Sequence, residues 1–299
     1  MDTSIHELMN THEVAEYLRL KERKIYDLVA TRAIPCTRVT GKWLFSKVLI
    51  NQWILQNTEC RPPLSSLAST PKVMAGSHDP LLEWAIRESG SELALLFGGS
   101  LDGLRRMIAG EALACGLHVL DPAHRRYNID LVEQTLVNAR VIMLEWAWRT
   151  QGLIVSPGNP LGLNNLRDLA TNRVRLIDRQ QDSGSHLLLE HLLSLQGLAL
   201  SALKIDLPPA RSETDVALAV LEGKADAGFG IATAARRFRL DFVPLHQERY
   251  DLVVGRRDYF EPPFQDFLRF TQSSRFAERA KESGGYDITN LGRVLYNAP

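Results

Sequence analysis

Cysteine is scarce in this sequence, and neither sign of charge is in excess. The three cysteines, Cys36, Cys60 and Cys115, are scattered along 299 residues and lack the spacing of metal ligands. Because an odd, dispersed set does not form a disulfide framework, we expect reduced thiols. Lysine and arginine total 35, as do aspartate and glutamate, so the formal net charge is zero. No global field favours nucleic acid or a membrane, and any basic surface must be local.

Long apolar runs are also missing. The stretch from Val141 to Trp148 is interrupted by Glu145 and is far shorter than a membrane span. The first residues, Met1 to Glu7, lack the basic start and apolar core of a signal peptide. We therefore expect a soluble cytoplasmic protein with no membrane partner.

The motifs of several common enzyme classes are absent too. The sequence has no Walker loop, dinucleotide fingerprint or zinc motif. Ser77, His78 and Asp79 are adjacent, and neighbours in sequence project differently, so they are poorly placed to form a relay of nucleophile, base and orienting group. Neither Cys36 nor Cys115 lies in a loop that suggests a nucleophile. We therefore predict no enzyme, no catalytic residue and no metal site.

Three loops rich in glycine and hydroxyl groups stand out instead. The segment 178–186 follows a β-prone run and leads into an apolar helix, and the segments 76–80 and 98–103 have the same design. A helix start of this kind presents unpaired N–H groups and the positive end of the helix dipole, which bind anions. One such loop is most often a simple helix cap. Three of them predict helix starts that converge on one ligand.

The first fifty residues follow a different pattern. Asn10 and Glu13 have the spacing of a capping box at the start of a helix. A second helix is predicted from Glu22 to Ala30, a hairpin around Thr40-Gly41, and a third helix from Lys47 to Gln56. Two short helices, a hairpin and a closing helix make a winged helix-turn-helix.

These residues resemble the excisionase-like, MerR-type DNA-binding domain. The resemblance rests on Glu13 to Leu18, Ile25 to Leu28, Ile34-Pro35 and Gly41 to Trp43. It implies that the second helix enters the major groove of double-stranded DNA and that the wing meets the backbone or the minor groove. The residues assigned to DNA contact on this basis are Lys21, Arg23, Lys24, Tyr26, Arg38 and Lys42.

Charge agrees modestly with this interpretation. Residues 1–58 hold eight Lys or Arg against six Asp or Glu, a local excess of about two. A winged domain that binds protein is the alternative. One such domain covers only a few base pairs, so we expect a homodimer or higher homo-oligomer on a repeated operator.

The rest of the chain alternates strand and helix signals. Residues 59–72 are rich in Pro, Ser and Thr and read as a linker between a domain at 1–58 and one at 73–299. From Val73, repeated βα units predict a parallel sheet covered on both faces. The expected short strands include 118–120, 140–143, 153–155, 242–243 and 249–254. Two such series indicate two lobes around a cleft, with the second lobe at about 153–250. The expected fold class is α/β, a winged helix-turn-helix followed by a two-lobed domain with a central cleft.

The second domain resembles a type 2 periplasmic-binding-protein domain, in the version related to molybdate- and tungstate-binding proteins. The resemblance rests on segments 76–80, 152–160, 179–185, 223–228 and 284–287. It implies a ligand held between the lobes, with cleft closure as the signal. The ligand residues assigned on this basis are Ser77, His78, Ser100, Arg179, Ser183, Gly184, Ser185 and Tyr250.

Three positions depart from that family's pattern. His186 stands where a basic residue commonly follows the Ser-Gly-Thr motif, Asp182 where glycine is usual, and Asp178 where asparagine is usual. Acid beside an anion site disfavours an oxyanion unless it points outward or pairs with Arg179. An organic ligand with a carboxylate therefore stays open.

Together these observations predict a DNA-binding transcription regulator that senses a small anion, molybdate or tungstate, without another cofactor. A regulator of a small organic metabolite is the alternative, and an enzyme tethered to DNA is a third.

Overall fold

The computed structural model describes residues 8–39, 41–56, 70–137, 139–171 and 174–298. The chain divides into two compact units, Met1–Ser69 and Thr70–Pro299. Most of the predicted linker lies outside the described residues, as do Thr40 of the predicted hairpin turn and Cys60. The domain boundaries at 58 and 73 therefore stay predictions.

Within its described residues, the first unit has three helices and a three-stranded antiparallel sheet with the strand order β1-β3-β2. Its elements are β1 (Leu8–Met9), α1 (Thr11–Leu18), α2 (Glu22–Ala30), β2 (Thr37–Val39), β3 (Lys42–Ser46) and α3 (Lys47–Gln56).

Local signals in this unit act as the sequence predicts. The side chain of Asn10 accepts from the N–H groups of His12 and Glu13, and Glu13 reaches back to the N–H of Asn10, which completes a capping box. The core then forms from Val14, Ile25, Phe45 and Ile50, each fully buried. The predicted winged helix-turn-helix is confirmed.

The second unit is a mixed α/β domain. Its strands are β4 (Val73–Gly76), β5 (Ala94–Phe97), β6 (Ala114–Leu117), β7 (Leu120–Asp121), β8 (Arg126–Tyr127), β9 (Val141–Val155), β10 (Leu176–Ile177), β11 (Ala227–Ile231), β12 (Asp241–Gly255), β13 (Tyr286–Asp287) and β14 (Val294–Asn297). Its helices are α4 (Pro80–Ser89), α5 (Ser100–Ala109), α6 (Ile129–Thr135), α7 (Leu166–Thr171), α8 (Gly184–Leu195), α9 (Glu213–Leu221), α10 (Ala232–Arg237), α11 (Arg256–Tyr259), α12 (Pro262–Thr271) and α13 (Ser274–Ser283).

Two long strands connect the lobes of this domain. The sheet order is β10-β11-β9-β12-β6-β4-β5, and β9 and β12 pair antiparallel along 15 residues each. The sequence predicts short separate strands here, because polar residues interrupt both apolar runs; the structure has two continuous strands. The ladder shifts register between Pro244 and His246 and again between Tyr250 and Asp251, and such bulges bend and twist a strand pair.

The second lobe is one continuous segment between these strands, whereas the first lobe is built from two pieces of chain. The core of the first lobe combines Leu82 of α4 and Trp146 of β9 with Phe264, Phe267 and Phe276 of the last two long helices. None of the helices in the described ranges has the length and apolar character needed to cross a lipid bilayer.

One strand lies earlier than the sequence predicts. The prediction placed a strand at 118–120, but β6 covers Ala114–Leu117 and ends just before His118. Because β6 is parallel to β4, His118 and Ser77 both follow the carboxyl ends of neighbouring strands. This edge is where ligands bind in open α/β sheets.

Candidate functional site

Four helix N-termini meet at the cleft between the two lobes. Those of α5 and α8 are joined by a hydrogen bond from the Leu101 N–H to the Asp182 carbonyl, at 3.2 Å. Those of α4 and α9 are joined by one from the Glu213 N–H to His78 Nδ1, also at 3.2 Å. The first N–H groups of each helix have no intrahelical acceptor, so the region carries positive potential.

The cleft is closed, and two glycines allow it. A Cβ at Gly184 would lie 2.4 Å from the carbonyl oxygen of His118. A Cβ at Gly99 would lie 2.7 Å from that of Asp182. Arg105 also crosses the cleft to the Asp182 carboxylate, at 2.6 Å. Entry of a ligand therefore requires the lobes to separate.

A chain of buried polar groups forms the floor of the cleft on the first lobe. Ser77 Oγ lies 2.8 Å from His118 Nε2, and His118 Nδ1 lies 2.7 Å from Glu248 Oε2. All three side chains are 0% exposed. The histidine ring also stacks on Tyr250, with ring centroids 5.6 Å apart.

Arg149 links this chain to the start of α4. One of its terminal nitrogens donates to Asp79 Oδ2 at 2.9 Å, and the other donates to Glu248 Oε1. Asp79 also accepts from Tyr286 at 2.8 Å and from the N–H of Leu82, which it caps. Burial alone would raise the pKa of Glu248, but the charges of Arg149 and of the neighbouring His118 outweigh it and lower that pKa to about 2.

A second buried group forms on the other lobe. Arg179 donates to Glu213, and Ser185 Oγ donates to the same carboxylate oxygen at 3.1 Å. The N–H of Ile231 donates to the other oxygen of Glu213, at 3.2 Å. Gln151 of β9 connects the two groups, because its amide nitrogen lies 3.0 Å from Glu248 Oε1 and 3.1 Å from Ser185 Oγ.

The chain's own carboxylates therefore occupy the positive cleft. Arg149 and Arg179 face Asp79, Glu213 and Glu248, all within the closed interface. An arriving anion meets guanidinium groups and helix starts that are already paired. It must displace a carboxylate or bind beside one.

The four predicted serines differ in what their hydroxyl protons can do. Ser100 Oγ accepts from the His118 N–H at 3.3 Å, and Ser183 Oγ accepts from the His186 N–H at 3.1 Å, which leaves both O–H groups able to donate to a ligand. Ser185 directs its proton at Glu213, and Ser77 faces a histidine nitrogen.

The other predicted ligand residues are brought to the same cleft. Tyr250 is fully buried, and its O–H donates to the Ser77 carbonyl at 2.6 Å, so its one donor is already used. His78 lies edge-on to Phe97 with both ring nitrogens engaged, by the Glu213 N–H and by Glu83.

The three departures from the family pattern are compensated locally. Asp178 pairs with His186 Nδ1 at 2.7 Å, and Asp182 pairs with Arg105. The hydrogen bond to Asp178 raises the pKa of His186, against the opposing effect of burial. Neither acid leaves an unpaired charge toward the cleft.

Sequence reasoning missed five residues of this network: His118, Arg149, Gln151, Glu213 and Glu248. A polar residue within a long apolar strand is the signal that could have found Arg149 and Gln151, since β9 is mostly buried and apolar apart from these two, Glu145 and Thr150. His118 follows a parallel strand, but that strand, Ala-Cys-Gly-Leu, has little β propensity, and the prediction placed the strand on His118 itself.

A cavity of about 790 Å³ opens beside the loop at 178–186. Its polar end is formed by Asp178, Arg179 and His186, and its apolar wall by Leu203 and neighbouring residues up to Pro209. It does not reach Ser77, Ser100 or Ser185, but Arg179 and Asp182 belong to both this cavity and the closed cleft.

A second cluster of polar groups lies at the β7–β8 hairpin. Asp121, His124 and Asp130 bring ligand atoms within 4.8 Å of one another, an arrangement that could hold a metal ion. Arg126 pairs with Asp130 there and reduces the negative charge of the cluster.

On the first unit, the six predicted DNA residues are all exposed. Lys21, Arg23 and Lys24 lie at the start of α2, and Tyr26 is 51% exposed on the same helix. Arg38 of β2 lies over the Trp43 ring at 5.3 Å, and Lys42 begins β3. Helix and wing thus present cationic side chains to solvent, as a phosphate-binding surface requires.

Comparisons with known proteins agree with this architecture. The uncharacterized protein YvgK of Bacillus subtilis (strain 168) is 26% identical over 300 residues, which cover 95% of this chain and 96% of that protein. A substrate-binding protein of Clostridium perfringens is similar in fold, with a TM-score of 0.53 and 12% identity. The match covers 74% of this chain and 98% of that protein. Its structure is described as that of a phosphate ABC transporter component with bound phosphate. The sulfate-binding protein SubI of Mycobacterium tuberculosis H37Rv gives a TM-score of 0.51 and 15% identity, over 72% and 85% of the two chains.

Family models match both units. Residues 8–58 match a helix-turn-helix domain, and residues 83–272, more than half of the chain, match the PBP superfamily domain. Both resemblances read from the sequence are confirmed at this level. The chain belongs to the PBP superfamily domain family and carries a helix-turn-helix domain ahead of that domain.

Proposed function

We propose that this protein is a cytoplasmic transcription regulator that binds operator DNA through its first unit and a small oxyanion, molybdate or tungstate, between the lobes of its second. One observation supports a ligand site here: four helix N-termini and two buried arginines lie together where the two lobes close on each other. Ser100 and Ser183 add hydroxyl donors without a carboxylate acceptor of their own.

The signal in this proposal is closure of the cleft. β9 and β12 connect the lobes, so a ligand that stabilises the closed form changes the relative position of the lobes. In a homodimer or higher homo-oligomer, that change alters the spacing of paired DNA-binding units and hence operator affinity.

A small organic carboxylate is the second candidate ligand. The observation that favours it is the pairing of Glu213 with Arg179 and of Glu248 with Arg149. These guanidinium groups already hold carboxylates, and a ligand carboxylate has the same planar geometry.

An enzyme is the third candidate, because Ser77, His118 and Glu248 have the connectivity of a hydrolase triad. The three residues are distant in sequence and differ from the adjacent Ser77, His78 and Asp79, which are poorly placed to form a relay. Turnover of an activated ester that is lost in Ser77→Ala would establish it.

The test is a thermal-shift panel on the full chain with molybdate, tungstate, sulfate, phosphate and small carboxylates, followed by DNA binding with each active compound. A ligand at about a hundredfold over its Kd stabilises by about 2.7 kcal/mol. Selective stabilisation by molybdate or tungstate, with changed operator affinity, supports the proposal. Stabilisation by carboxylates alone supports the second candidate, and unchanged operator affinity at saturation contradicts the regulatory role.

A further inference from the structure

A further cavity, of about 410 Å³, lies where the two lobes meet. Its first-lobe wall comes from α4 and α13, and its second-lobe wall comes from α10. It adjoins the anion cleft through Glu83, which lines the cavity and also pairs with His78. Cationic groups from both lobes come together here, because the lining includes four arginines: Arg87, Arg236, Arg237 and Arg279.

The carboxylates that line this cavity each have a cation of their own. The pairs are Glu83 with Arg87, Glu88 with Arg275 and Glu282 with Arg279. The last of these is long, at 3.9 Å. After this pairing, the guanidinium groups of Arg236 and Arg237 remain in excess, so the cavity has a surplus of positive charge.

Arg236 and Arg237 belong to the second lobe, yet both lie against the first. A Cβ at Gly284 would lie 2.8 Å from Arg236 Nη1, so this guanidinium reaches the loop that follows α13. The hydrogen bond from His78 is the main cause of the lowered pKa of Glu83, and the nearby charge of Arg237 contributes to it. Within the part of the chain that the structure describes, neither arginine forms an ion pair or donates a hydrogen bond from its side chain.

The helix that carries these two arginines explains their charge only in part. Both lie in the last turn of α10, where cations interact favourably with the helix dipole. That interaction does not depend on which way the side chains point, and here they point toward a wall that already holds Arg87 and Arg279. Closure of the lobes therefore brings like charges together, at a cost in free energy that an anion between them removes.

Linked phosphates match this cavity better than a single tetrahedral anion does. Guanidinium groups bind phosphate oxygens in bidentate pairs, and the four of them stand on three helices of two lobes. A chain of phosphates carries several charges and can reach both walls at once. The Trp84 ring packs on Phe270 and lies under Arg275 and Arg279, which leaves it little open face for a stacked base.

We propose that this cavity binds a polyphosphate group, free or carried by a nucleotide, and that the bound group holds the two lobes together. The cleft ligand also favours closure, so each ligand should raise the affinity for the other, and this coupling is reciprocal. The coupling rests on the proposed anion site, whereas polyphosphate binding does not.

The experiment is isothermal titration of the full chain with sodium tripolyphosphate, in metal-free buffer at fixed ionic strength, with ATP and sulfate titrated in parallel. We expect one tripolyphosphate per chain. Arg236→Gln and Arg237→Gln should each weaken binding by about tenfold, because each removes a charge-assisted donor from the second-lobe wall. Glu282→Gln removes a carboxylate from the opposite wall and should strengthen binding.

Arg239→Gln is the matched control. It makes the same charge change at an exposed arginine two positions beyond Arg237, outside the cavity lining, and should leave the affinity unaltered. An equal loss in Arg239→Gln and Arg236→Gln would mean general attraction of an anion and overturns the inference, as does absence of tripolyphosphate binding to the folded chain. Sulfate that binds as tightly, and is lost in the same variants, overturns the polyphosphate class. Equal affinities for ATP and tripolyphosphate support recognition of the phosphates alone, and tighter ATP supports a nucleotide.

Titration with molybdate in saturating tripolyphosphate tests the coupling. Molybdate should bind about fivefold or more tightly than it does alone. Molybdate binding that tripolyphosphate leaves unchanged overturns the claim that the bound group holds the lobes together. Absence of molybdate binding, with tripolyphosphate binding intact, contradicts the proposed function and leaves the polyphosphate site standing.

Discussion

The predicted DNA-binding surface of the first unit and the cleft of the second use charge in opposite ways. Lys21, Arg23 and Lys24 are exposed to solvent. Arg149 and Arg179 are buried, and each is paired with a carboxylate from another element. Exposed charge is weakly coupled to stability and strongly screened by salt, whereas buried charge is tied to folding. Mutation should therefore affect binding at the first surface and both binding and stability at the second.

The largest effect is expected from Arg149→Met. The change leaves Asp79 and Glu248 buried without their cation, which should cost about 3–5 kcal/mol of unfolding free energy. Urea unfolding of the full chain measures it. The control is Arg87→Met, which removes an exposed arginine whose pair with Glu83 is worth about 1 kcal/mol or less. Equal losses in the two variants would contradict the buried role.

Gly184→Ala should weaken anion binding by tenfold or more. The new methyl group meets the His118 carbonyl across the cleft, so the lobes cannot close as observed. Calorimetric titration with sulfate measures the change, and the melting temperature without ligand checks that the fold persists. Unchanged affinity would show that this contact does not form in the bound state.

Glu213→Gln should raise anion affinity about tenfold, or about 1.4 kcal/mol, because it removes a buried negative charge from the path of the ligand. Arg179 loses its partner, so the variant should melt lower alone and gain more from sulfate than the wild type does. Glu222→Gln, which removes an exposed carboxylate beside Lys224, is the matched control. A reduced affinity would mean that Glu213 helps to hold the ligand.

Arg23→Ala should weaken DNA binding by about three- to tenfold at low salt and reduce the slope of log affinity against log salt by about one. Fluorescence anisotropy with a labelled duplex at several salt concentrations measures both. Arg87→Ala makes the same charge change on the second unit and should leave the slope unaltered. An identical slope in all three proteins would remove α2 from the interface.

A similarly small effect is expected at the first helix. Asn10→Ala removes the acceptor for the His12 and Glu13 N–H groups and should cost about 1 kcal/mol. Calorimetry should place this loss in the transition of the first unit. Thr11→Ala, beside the cap, should have little effect.

The first unit could be predicted closely because its signals are local. The bounds of α2 and α3 agree with the sequence prediction, and the capping box at Asn10 sets the start of α1. Each depends on residues within a few positions of one another.

The cleft was predicted only in part because its pairs are distant in sequence. His118 and Glu248 are separated by 130 positions. The loops at Ser77, Ser100 and Ser183 are recognisable by composition, but their hydrogen-bond partners are not. β6 was predicted at the wrong residues for a physical reason: Gly116 must lack a side chain, since its Cβ would lie 1.9 Å from the Tyr250 hydroxyl. A strand selected for that contact has little apolar pattern of its own.

Because the second lobe lies between β9 and β12, it is completed before the first lobe while the chain is synthesised on the ribosome. Domains generally fold as units while the chain emerges, starting from the N-terminus. The second lobe lies between Val155 and Asp241 and is complete once β12 begins to emerge. The first lobe begins earlier but stays without Phe264, Phe267 and Phe276 until α12 and α13 are made. The newborn chain would thus carry a folded DNA-binding unit before it can respond to any ligand.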